Sequence, residues 1–351
     1  MSLVASPLLP MTHLPNFVAL LDDLAVIEVS GSDAASFLHG QLTHDITGMA
    51  SDQARLAGYC TAKGRLLGSM VIWSEHRTNG ATQLYALVKA DIASALIKRL
   101  SMFVLRAQVV FRQSPLQVLG VTFNKSGTDK NIPSTDIMKQ AAIMSAQQST
   151  WDVVRSAAGT WISAPSATVD TARWWFAASD PQEYAEQLDT PDAKAPAPGT
   201  PAADTSSECW RAGDIAAGLP WVGTATQDFF IPQTLNFDLI DGVSFSKGCY
   251  PGQEVVARSH YRGTVKRRMA YGVVTGARDI ESVTLPGADI YKAGNPDMPC
   301  GRIINAAICG DLHLLMEVQL SDLPTSAFRL GKADGPAIEL LPLPYQVKTE
   351  S

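Results

Sequence analysis

Charged residues are scarce in this chain of 351 residues, at 18% against the roughly 25% of an average soluble protein. Acidic residues also outnumber basic ones, 34 to 28, and the net charge of −6 excludes a generally basic nucleic-acid-binding protein, although a local basic patch is still allowed. No uninterrupted apolar run approaches the roughly 20 residues that span a bilayer, so we expect no membrane partner. With 46% apolar residues, the chain can instead bury a large core.

Cysteine is also rare, and its spacing lacks the paired pattern of a disulfide framework or a zinc finger. There are five cysteines and no CxxC pair: Cys60, Cys209, Cys249, Cys300 and Cys309. An odd number with irregular gaps predicts free thiols in a reducing compartment and no metal site. Residues 1–16 contain no Lys or Arg, unlike a signal peptide. We therefore expect a soluble, cytoplasmic protein with a flexible leader over residues 1–16.

The spacing of apolar residues predicts an α+β fold with a mostly antiparallel sheet in the first third of the chain. Short β-rich runs, such as Val104–Phe111, alternate with two helical segments. In the second helical segment, residues 92–102, the side chains of Ile92, Leu96 and Leu100 recur four apart on one face. This order of elements differs from the regular strand–helix alternation of a dinucleotide-binding fold.

Composition also divides the chain into regions. Residues 189–207 hold four prolines and few residues to bury, which predicts a mobile surface loop. From residue 268 onward, short strands alternate with Gly and Pro turns, and this pattern predicts a small β-barrel of about 80 residues. We therefore expect a region of two interleaved α+β subdomains over residues 17–266, which includes the loop, and a barrel domain over residues 267–351.

The most unusual segment surrounds Cys249, which lies between two glycines. Its central residues are Lys247-Gly248-Cys249-Tyr250-Pro251-Gly252-Gln253-Glu254. Pro251 fits the first turn of a helix through Val255 to Ala257, which would place Cys249 just before a helix N-terminus. The helix dipole, helped by Lys247, favours a thiolate there. The segment predicts a reactive or ligand-bearing thiol; the alternative is a small buried side chain beside a turn.

Charged residues follow the thiol. Glu254 would lie in the first turn of the helix, where a carboxylate either complements the dipole or acts as a ligand. Five basic residues then occur within eleven positions: Arg258, Arg262, Lys266, Arg267 and Arg268. This basic cluster is either a solvated face or a binding site for an anion such as a phosphate, a polyglutamate tail or an RNA backbone.

Taken together, these motifs resemble the YgfZ proteins, which are folate-binding relatives of the glycine-cleavage T-protein. The segment around Cys249 resembles the family signature K-G-C-[FY]-x-G-Q-E. Further segments along nearly the whole chain resemble other motifs of the family: Gly31-x-Asp33 with residues 37–45, Lys63-Gly64-Arg65, Trp210 with Ile215–Pro220, Phe230-Ile231-Pro232-Gln233 with Asn236, and Leu341–Tyr345.

The resemblance implies a three-domain, T-protein-like α+β architecture around a central channel that binds tetrahydrofolate. It also implies an accessory role in the synthesis or repair of iron–sulfur enzymes, and through them in tRNA modification, with iron–sulfur enzymes or assembly proteins as partners. Folate contact carries over to Trp210. The further candidates for folate binding are Leu24, Asp45, Lys63 and Arg65.

The resemblance makes Cys249 the functional thiol, with Lys247 and Glu254 beside it. One cysteine cannot ligate an iron–sulfur cluster alone, so Cys249 is expected to hold a cluster iron only transiently and with a second ligand source. The segment Tyr59–Gly64 has no acid where T-protein transfer chemistry depends on an aspartate, and Leu24 stands where the family pattern has a tryptophan. We therefore favour an accessory protein, with a tetrahydrofolate-dependent aminomethyl transferase and an RNA-binding module as alternatives.

Overall fold

The computed structural model describes residues 16–76, 82–125, 136–145, 149–179, 206–261, 265–277 and 279–347. Several sequence predictions fall outside these residues: the leader apart from Asn16, the loop over 189–205, and Arg262 of the basic cluster. The last two residues assigned to the loop, Ser206 and Ser207, belong to a helix instead.

Within the described residues, the chain forms sixteen strands, five α-helices and four short 3-10 helices. The strands are Phe17–Leu20 (β1), Leu24–Ser30 (β2), Arg55–Cys60 (β3), Leu66–His76 (β4), Thr82–Lys89 (β5), Val110–Gln113 (β6), Gln117–Asn124 (β7), Val153–Arg155 (β8), Thr160–Ala164 (β9), Thr171–Ala178 (β10), Arg267–Val274 (β11), Asp289–Lys292 (β12), Gly301–Cys309 (β13), Asp311–Gln319 (β14), Phe328–Leu330 (β15) and Ala337–Leu341 (β16). The α-helices are Ala34–His39 (α1), Ala90–Ser101 (α2), Asp136–Met144 (α3), Ser206–Ala216 (α4) and Gln253–Tyr261 (α5). The 3-10 helices are Thr224–Thr226, Pro232–Leu235, Ser282–Thr284 and Leu320–Asp322.

The first sheet is antiparallel and has the strand order β3-β4-β5-β2-β6. Helices α1 and α2 pack on it and share one hydrophobic core with its strands. Helix α2 forms because Ile92, Leu96 and Leu100 place a continuous apolar stripe on the sheet. Asp91 in its first turn and basic residues in its last turn complement the helix dipole.

The second sheet is also antiparallel, with the order β1-β7-β10-β9-β8. Every residue of β10 is buried, because this strand is central and both faces of the sheet are covered. On one face α3 packs into a separate core with Trp161 and Trp174. On the other face Trp210 of α4 lies over Gly120, where a Cβ would be 2.4 Å from the indole ring. A side chain at position 120 would collide with the indole ring, so glycine is required there.

The C-terminal strands close into a barrel with the order β11-β14-β13-β12-β15-β16. Its interior is filled by apolar side chains such as Ile303, Leu314 and Phe328. A bulge in β13 lies between Ile303 and Asn305. The fold class predicted from the sequence, α+β with a small C-terminal β-barrel, is confirmed.

Helix α4 joins the second sheet to the barrel, since it packs against β1 and β7 of that sheet and against β13 and β14 of the barrel. A disulfide between Cys209 of α4 and Cys309 of β13 reinforces this contact. The prediction that all five cysteines are free thiols was therefore wrong for these two, because a separation of 100 residues carries no local pairing signal. Cys60, Cys249 and Cys300 are free.

Two other local predictions were wrong. The apolar run Val104–Phe111 was expected to form a strand, but β6 begins only at Val110 and the preceding residues form a loop. Helix α4 was missed because its buried positions include Gly213 and Asp214, which do not give the apolar periodicity of an amphipathic helix.

No helix of the described residues is long and apolar enough to cross a membrane.

Candidate functional site: a thiol turn and a central cavity

The β3–β4 hairpin and the turn that carries Cys249 pack tightly against each other. Gly252 has φ +81°, and a Cβ there would lie 2.3 Å from the carbonyl oxygen of Thr61. Gly64, at the tip of the hairpin, has φ +73°, and its Cβ would lie 2.9 Å from the Cβ of Val255. Two motifs that are almost 190 residues apart in sequence thus meet through a pair of glycines, because only glycine permits this approach.

Cys249 is exposed on this turn, and Lys247 anchors the turn to the loop after α1. The Lys247 ammonium donates to the carbonyl oxygens of His39 at 2.6 Å and Leu42 at 3.0 Å, and it lies 4.6 Å from the ring of Tyr250. Burial lowers the pKa of Lys247 to about 8, although the negative charges of Asp45 and Cys249 oppose the shift. Lys247 is therefore close enough to Cys249 for its positive charge to act on a thiolate.

Helix α5 begins later than predicted. It starts at Gln253, so Pro251 lies before the helix and not in its first turn. The Gln253 side chain accepts a hydrogen bond from the backbone N–H of Tyr250 at 3.2 Å, which closes the turn from the helix side. Glu254 is exposed in the first helical turn. The left-handed Gly252 interrupts the helical backbone and sets this start.

Asp45 lies in the loop after α1, beside the thiol turn. Its Oδ1 accepts hydrogen bonds from the backbone N–H of Gly48 at 3.0 Å and the hydroxyl of Thr47 at 2.9 Å, and it pairs with Nδ1 of His39 at 2.8 Å. The Gly48 N–H, followed by Thr47 and His39, lowers the pKa of Asp45 to about 2. A Cβ at Gly248 would lie 3.6 Å from Nε2 of His39, so this imidazole faces the backbone next to Cys249.

A cavity of about 190 Å³ lies where the first sheet, α4 and the barrel meet. Its walls combine apolar side chains with charged and polar groups contributed by all three parts. The charged and polar side chains are Asp23, Lys89, Asp91, Arg211, Asp214, Thr226 and Asn305. The apolar surface includes Ile215, Leu219, Trp221 and Ile304. Apolar walls with a few fixed polar groups are the usual composition of a small-molecule site.

Asp23 is the polar centre of one wall. Its Oδ2 accepts from Lys89 at 2.6 Å, and its Oδ1 lies 3.4 Å from Nη1 of Arg211. Burial by itself would raise the pKa of Asp23, but Lys89 and Arg211 together lower it below the usual value. Oδ1 is buried and accepts no hydrogen bond within the described part of the chain. A donor on a bound molecule would complete it.

Asp214 of α4 is a second buried carboxylate that lines the cavity. It accepts from Arg173 at 2.7 Å and from the indole N–H of Trp221 at 2.9 Å. Burial raises the pKa of Asp214 and lowers that of Arg173, although each partner opposes the other's shift. The backbone of Trp221 is held by Asn305, which accepts from its N–H at 2.9 Å and donates to its carbonyl oxygen at 2.8 Å. The bulge in β13 aims Asn305 at this segment.

The residues predicted to contact folate lie in two separate places. Trp210 is 1% exposed, with the guanidinium of Arg173 at 4.0 Å from its ring, and Leu24 is 8% exposed. Neither lines the cavity, but each is next in the chain to a residue that does, Arg211 and Asp23. Asp45, Lys63 and Arg65 lie at the thiol turn and the adjoining hairpin instead.

Lys63 and Arg65 are both exposed on the β3–β4 hairpin. Arg65 donates from Nη1 to the carbonyl oxygen of Asp228 at 3.0 Å. This bond and the tight packing of Gly64 fix the hairpin beside Cys249. Both cations are therefore available to an anion at the thiol turn, and neither lines the cavity.

Of the four described residues of the basic cluster, two form ion pairs and two are exposed. Arg268 forms two hydrogen bonds to the carboxylate of Asp238, and Arg267 pairs with Glu317 at 2.7 Å. Arg258 and Lys266 are exposed. Since Arg267 and Arg268 serve as structural ion pairs, the positive charge that is left for an external anion is smaller than the sequence indicates.

One segment, residues 219–235, connects the cavity to the thiol turn. At the cavity, the N–H of Val222 donates to Ser69 Oγ at 2.9 Å. Further along, the carbonyl oxygen of Phe230 accepts from the N–H of Leu66 at 2.7 Å, next to the hairpin. At its end, the Gln233 side chain donates to the carbonyl oxygen of Val256 in α5 at 2.6 Å. The two parts of the candidate site are thus linked by a continuous, hydrogen-bonded segment.

Sequence reasoning missed the polar residues of the cavity. Asp23, Lys89, Arg211, Asp214 and Asn305 come from four separate elements or loops, since Arg211 and Asp214 share α4. A signal was present for one of them, because Asp214 lies between Trp210 and Ile215–Pro220, which together resemble one motif of the family. For the others the proximity is created only by the packing of the three parts. Within the described residues, no group of three or more His, Cys, Asp or Glu side chains could hold a metal ion.

No protein-family model matches the chain. The chain is nevertheless similar over nearly its whole length to curated proteins named tRNA-modifying protein YgfZ. It is 29% identical to the one from Edwardsiella ictaluri, over 97% of this chain and 95% of that protein. It is also 29% identical to the one from Yersinia enterocolitica, over 98% of this chain and 96% of that protein. The resemblance drawn from the motifs is confirmed.

The fold is similar to that of the glycine cleavage system aminomethyltransferase T from Bartonella henselae, whose crystal structure is known. The TM-score is 0.61, and the match covers 94% of this chain and 86% of that one. Because only 12% of the residues are identical, this likeness supports the fold alone. The T-protein-like architecture implied by the motifs is confirmed.

Proposed function

Because the chain resembles the YgfZ proteins over nearly its whole length, we propose that it is a tetrahydrofolate-binding accessory protein. It supports the synthesis or repair of iron–sulfur enzymes in the cytoplasm and, through them, the modification of tRNA. Cys249 is the functional thiol. The observation that carries the proposal is a cavity whose polar groups match a reduced pteridine, connected by one segment to an exposed thiol.

The residues present fit a tetrahydrofolate. A pteridine ring is flat and apolar on its faces and carries N–H donors at its edge, and the folate tail ends in carboxylates. No donor among the described residues bonds to the buried Oδ1 of Asp23, and Trp221 and Ile304 offer apolar surface. Lys89 and Arg211 provide positive charge on the same wall. The folate supplies one-carbon chemistry when bound; the chain binds it, orients it and shields it from water.

The residues around the cavity have different roles in folate binding. Asp23 and Asp214 accept from donors at the edge of the ring, since both carboxylates face the cavity and are held by cations. Lys89 and Arg211 keep the Asp23 carboxylate ionised and in place through their ion pairs with it. Trp210 does not line the cavity and has an indirect role. Its ring packs against Arg173, and this contact positions α4 and therefore Arg211 and Asp214.

The thiol turn acts on a second substrate, a cluster or its iron, which is brought by another protein. Cys249 is exposed, and Lys247 fixes the turn that carries it through hydrogen bonds to His39 and Leu42. One thiolate leaves at least three positions of a four-cysteine cluster to other ligands. The chain therefore acts together with an iron–sulfur enzyme or an assembly protein, which provides these ligands.

Replacing the thiol tests this division. We expect Cys249→Ser to abolish complementation of a strain with defective iron–sulfur enzymes while tetrahydrofolate affinity stays within about twofold of the wild type. Ser246→Ala, on the same turn and also exposed, is the matched control and should complement fully. Full complementation by Cys249→Ser would remove the thiol from the function, and loss of folate binding would contradict the separation of the two parts.

A second candidate function is tetrahydrofolate-dependent aminomethyl transfer. It is favoured by the carboxylates in the cavity, because Asp23, Asp91 or Asp214 could handle a proton that the β3–β4 hairpin cannot. Formation of methylene-tetrahydrofolate from tetrahydrofolate and an aminomethylated carrier separates the two functions. Turnover well above background, lost in Asp214→Asn, would favour the transferase.

A further inference from the structure

We propose that the surface formed by the end of α2, the loop after it and strand β6 docks an acidic segment of a partner protein that carries apolar anchor residues. The surface consists of residues 98–112 and is called the 98–112 surface below. None of its residues lines the cavity. The proposal rests on this surface alone and is independent of the proposed function.

Large apolar side chains are exposed together on the 98–112 surface. The exposed fractions are 70% for Met102, 50% for Phe103, 88% for Leu105 and 47% for Val110. Single exposed apolar residues are normal on a protein surface, but four within nine residues form a cluster that typically marks an interaction site. The cluster also explains why residues 104–109 were mistaken for part of a strand, because exposed apolar residues there give the same sequence pattern.

The same surface is positively charged. Lys98, Arg99, Arg106 and Arg112 lie in a stretch, residues 92–113, that contains no Asp or Glu, although the chain as a whole is acidic. The helix dipole accounts for Lys98 and Arg99, which stand in the last turn of α2, but not for the other two. None of the four forms an ion pair with a carboxylate among the described residues, in contrast to Arg267 and Arg268. The complementary partner is therefore acidic.

The backbone of β6 adds a third feature. β6 is the last strand of the first sheet and pairs with β2, from Ile27 opposite Gln113 to Ser30 opposite Val110. No strand of the described residues pairs with its other edge. An open edge can hydrogen-bond an added extended segment. The exposed side chains of Val110 and Arg112 would then flank that segment.

The side chains favour a protein partner over a nucleic acid. Single-stranded nucleic acids are held by basic grooves with aromatic side chains on which bases stack. Of the exposed apolar side chains here, Phe103 alone is aromatic, while Met102, Leu105 and Val110 are aliphatic. Aromatic, Met and Arg side chains together are enriched at protein interfaces. We therefore infer a partner segment in which acidic residues alternate with Leu, Ile or Phe.

Fluorescence anisotropy with the full chain and a labelled peptide of alternating Glu and Leu or Ile tests the proposal. We expect saturable binding to the wild type and a roughly tenfold loss of affinity in Phe103→Ser/Leu105→Ser and, separately, in Arg106→Glu/Arg112→Glu. Met298→Ser and Lys332→Glu, exposed elsewhere, are the matched controls and should bind within about twofold of the wild type. All substituted side chains are exposed, so thermal unfolding should stay unchanged and verify the fold.

Three outcomes would overturn the proposal. The first is the absence of saturable peptide binding. The second is an equal loss of affinity in the control variants, which would indicate unspecific adsorption. The third is tighter binding of a single-stranded RNA oligonucleotide of the same charge, lost in the same surface variants, because it would make the partner a nucleic acid.

Discussion

At the scale of single residues, a buried ion pair sets the character of the cavity. The side chains of Arg173 and Asp214 are 1% and 5% exposed, and the guanidinium also donates to the carbonyl oxygens of Trp210 and Pro165. Burial raises the pKa of Asp214 and lowers that of Arg173, so each group is stable as an ion only because the other is present. Removing one partner is therefore expected to cost more than removing both.

We predict that Arg173→Met lowers the free energy of unfolding by about 3–5 kcal/mol, because it leaves a carboxylate buried without its cation. Urea unfolding at neutral pH measures the effect. The double variant Arg173→Met/Asp214→Leu should recover much of the loss. A single variant that is as stable as the double variant would show that the pair contributes nothing.

The pH dependence of Asp45 provides a second prediction. Its pKa is lowered from 3.8 to about 2, foremost by the Gly48 N–H, so the ionised form stabilises the native state above pH 3.8 and this contribution is lost as the pH falls through about 2. Since the side chain is 39% exposed, we expect Asp45→Asn to cost only about 0.5–1 kcal/mol at neutral pH. Urea unfolding should show this difference shrinking between pH 4 and pH 2. A difference that is constant across this range would contradict the assignment.

At the scale of secondary-structure elements, the sequence predicted most of what is governed by local pattern. The sequence predicts a helix over Ala34–His39 and a strand over Arg55–Cys60, and α1 and β3 have these bounds because a turn or a glycine marks their ends. The Cys249 segment was recognised from its motif, but the start of α5 was not, since the left-handed backbone of Gly252 depends on contact with Thr61. The start of strand β6 was predicted six residues too early, at Val104 instead of Val110, because exposed and buried apolar runs look alike in sequence.

We predict that Gly252→Ala destabilises the protein more than Gly276→Ala does. Both glycines have positive φ, +81° and +71°, so both variants lose about 1–2 kcal/mol from backbone strain. Only at Gly252 would the added Cβ meet backbone atoms, whereas nothing lies within 4 Å of it at Gly276. Urea unfolding should therefore show a further loss of about 1–3 kcal/mol for Gly252→Ala. Equal losses would mean that the turn and hairpin can separate at little cost.

At the scale of the whole molecule, the arrangement of three parts around one cavity could not be predicted from local pattern. Asp23, Lys89, Arg211 and Asn305 are separated by tens of residues, and no spacing rule connects them. The architecture was predicted only through the resemblance of several motifs to one family. The disulfide Cys209–Cys309 was not predicted for the same reason. It joins α4 to the barrel, and these two parts come into contact only in the folded structure.

The disulfide is expected to stabilise the contact between α4 and the barrel. Closing a loop with a separation of 100 residues constrains the unfolded chain strongly, so Cys309→Ser should lower the free energy of unfolding by about 2–4 kcal/mol under oxidising conditions. Adding dithiothreitol should lower the wild type to the level of the variant. A wild type whose urea midpoint does not respond to reductant would contradict this role.

Folate binding in the cavity is the central claim, and calorimetric titration with tetrahydrofolate tests it most directly. Ala225 is exposed at the cavity, so Ala225→Trp fills the site without disturbing the core, while Ala95→Trp, on the exposed side of α2, is the matched control. We predict one saturable site in the wild type and in Ala95→Trp, and an affinity reduced at least about tenfold in Ala225→Trp. No binding to the wild type, or equally tight binding to Ala225→Trp, would contradict the claim.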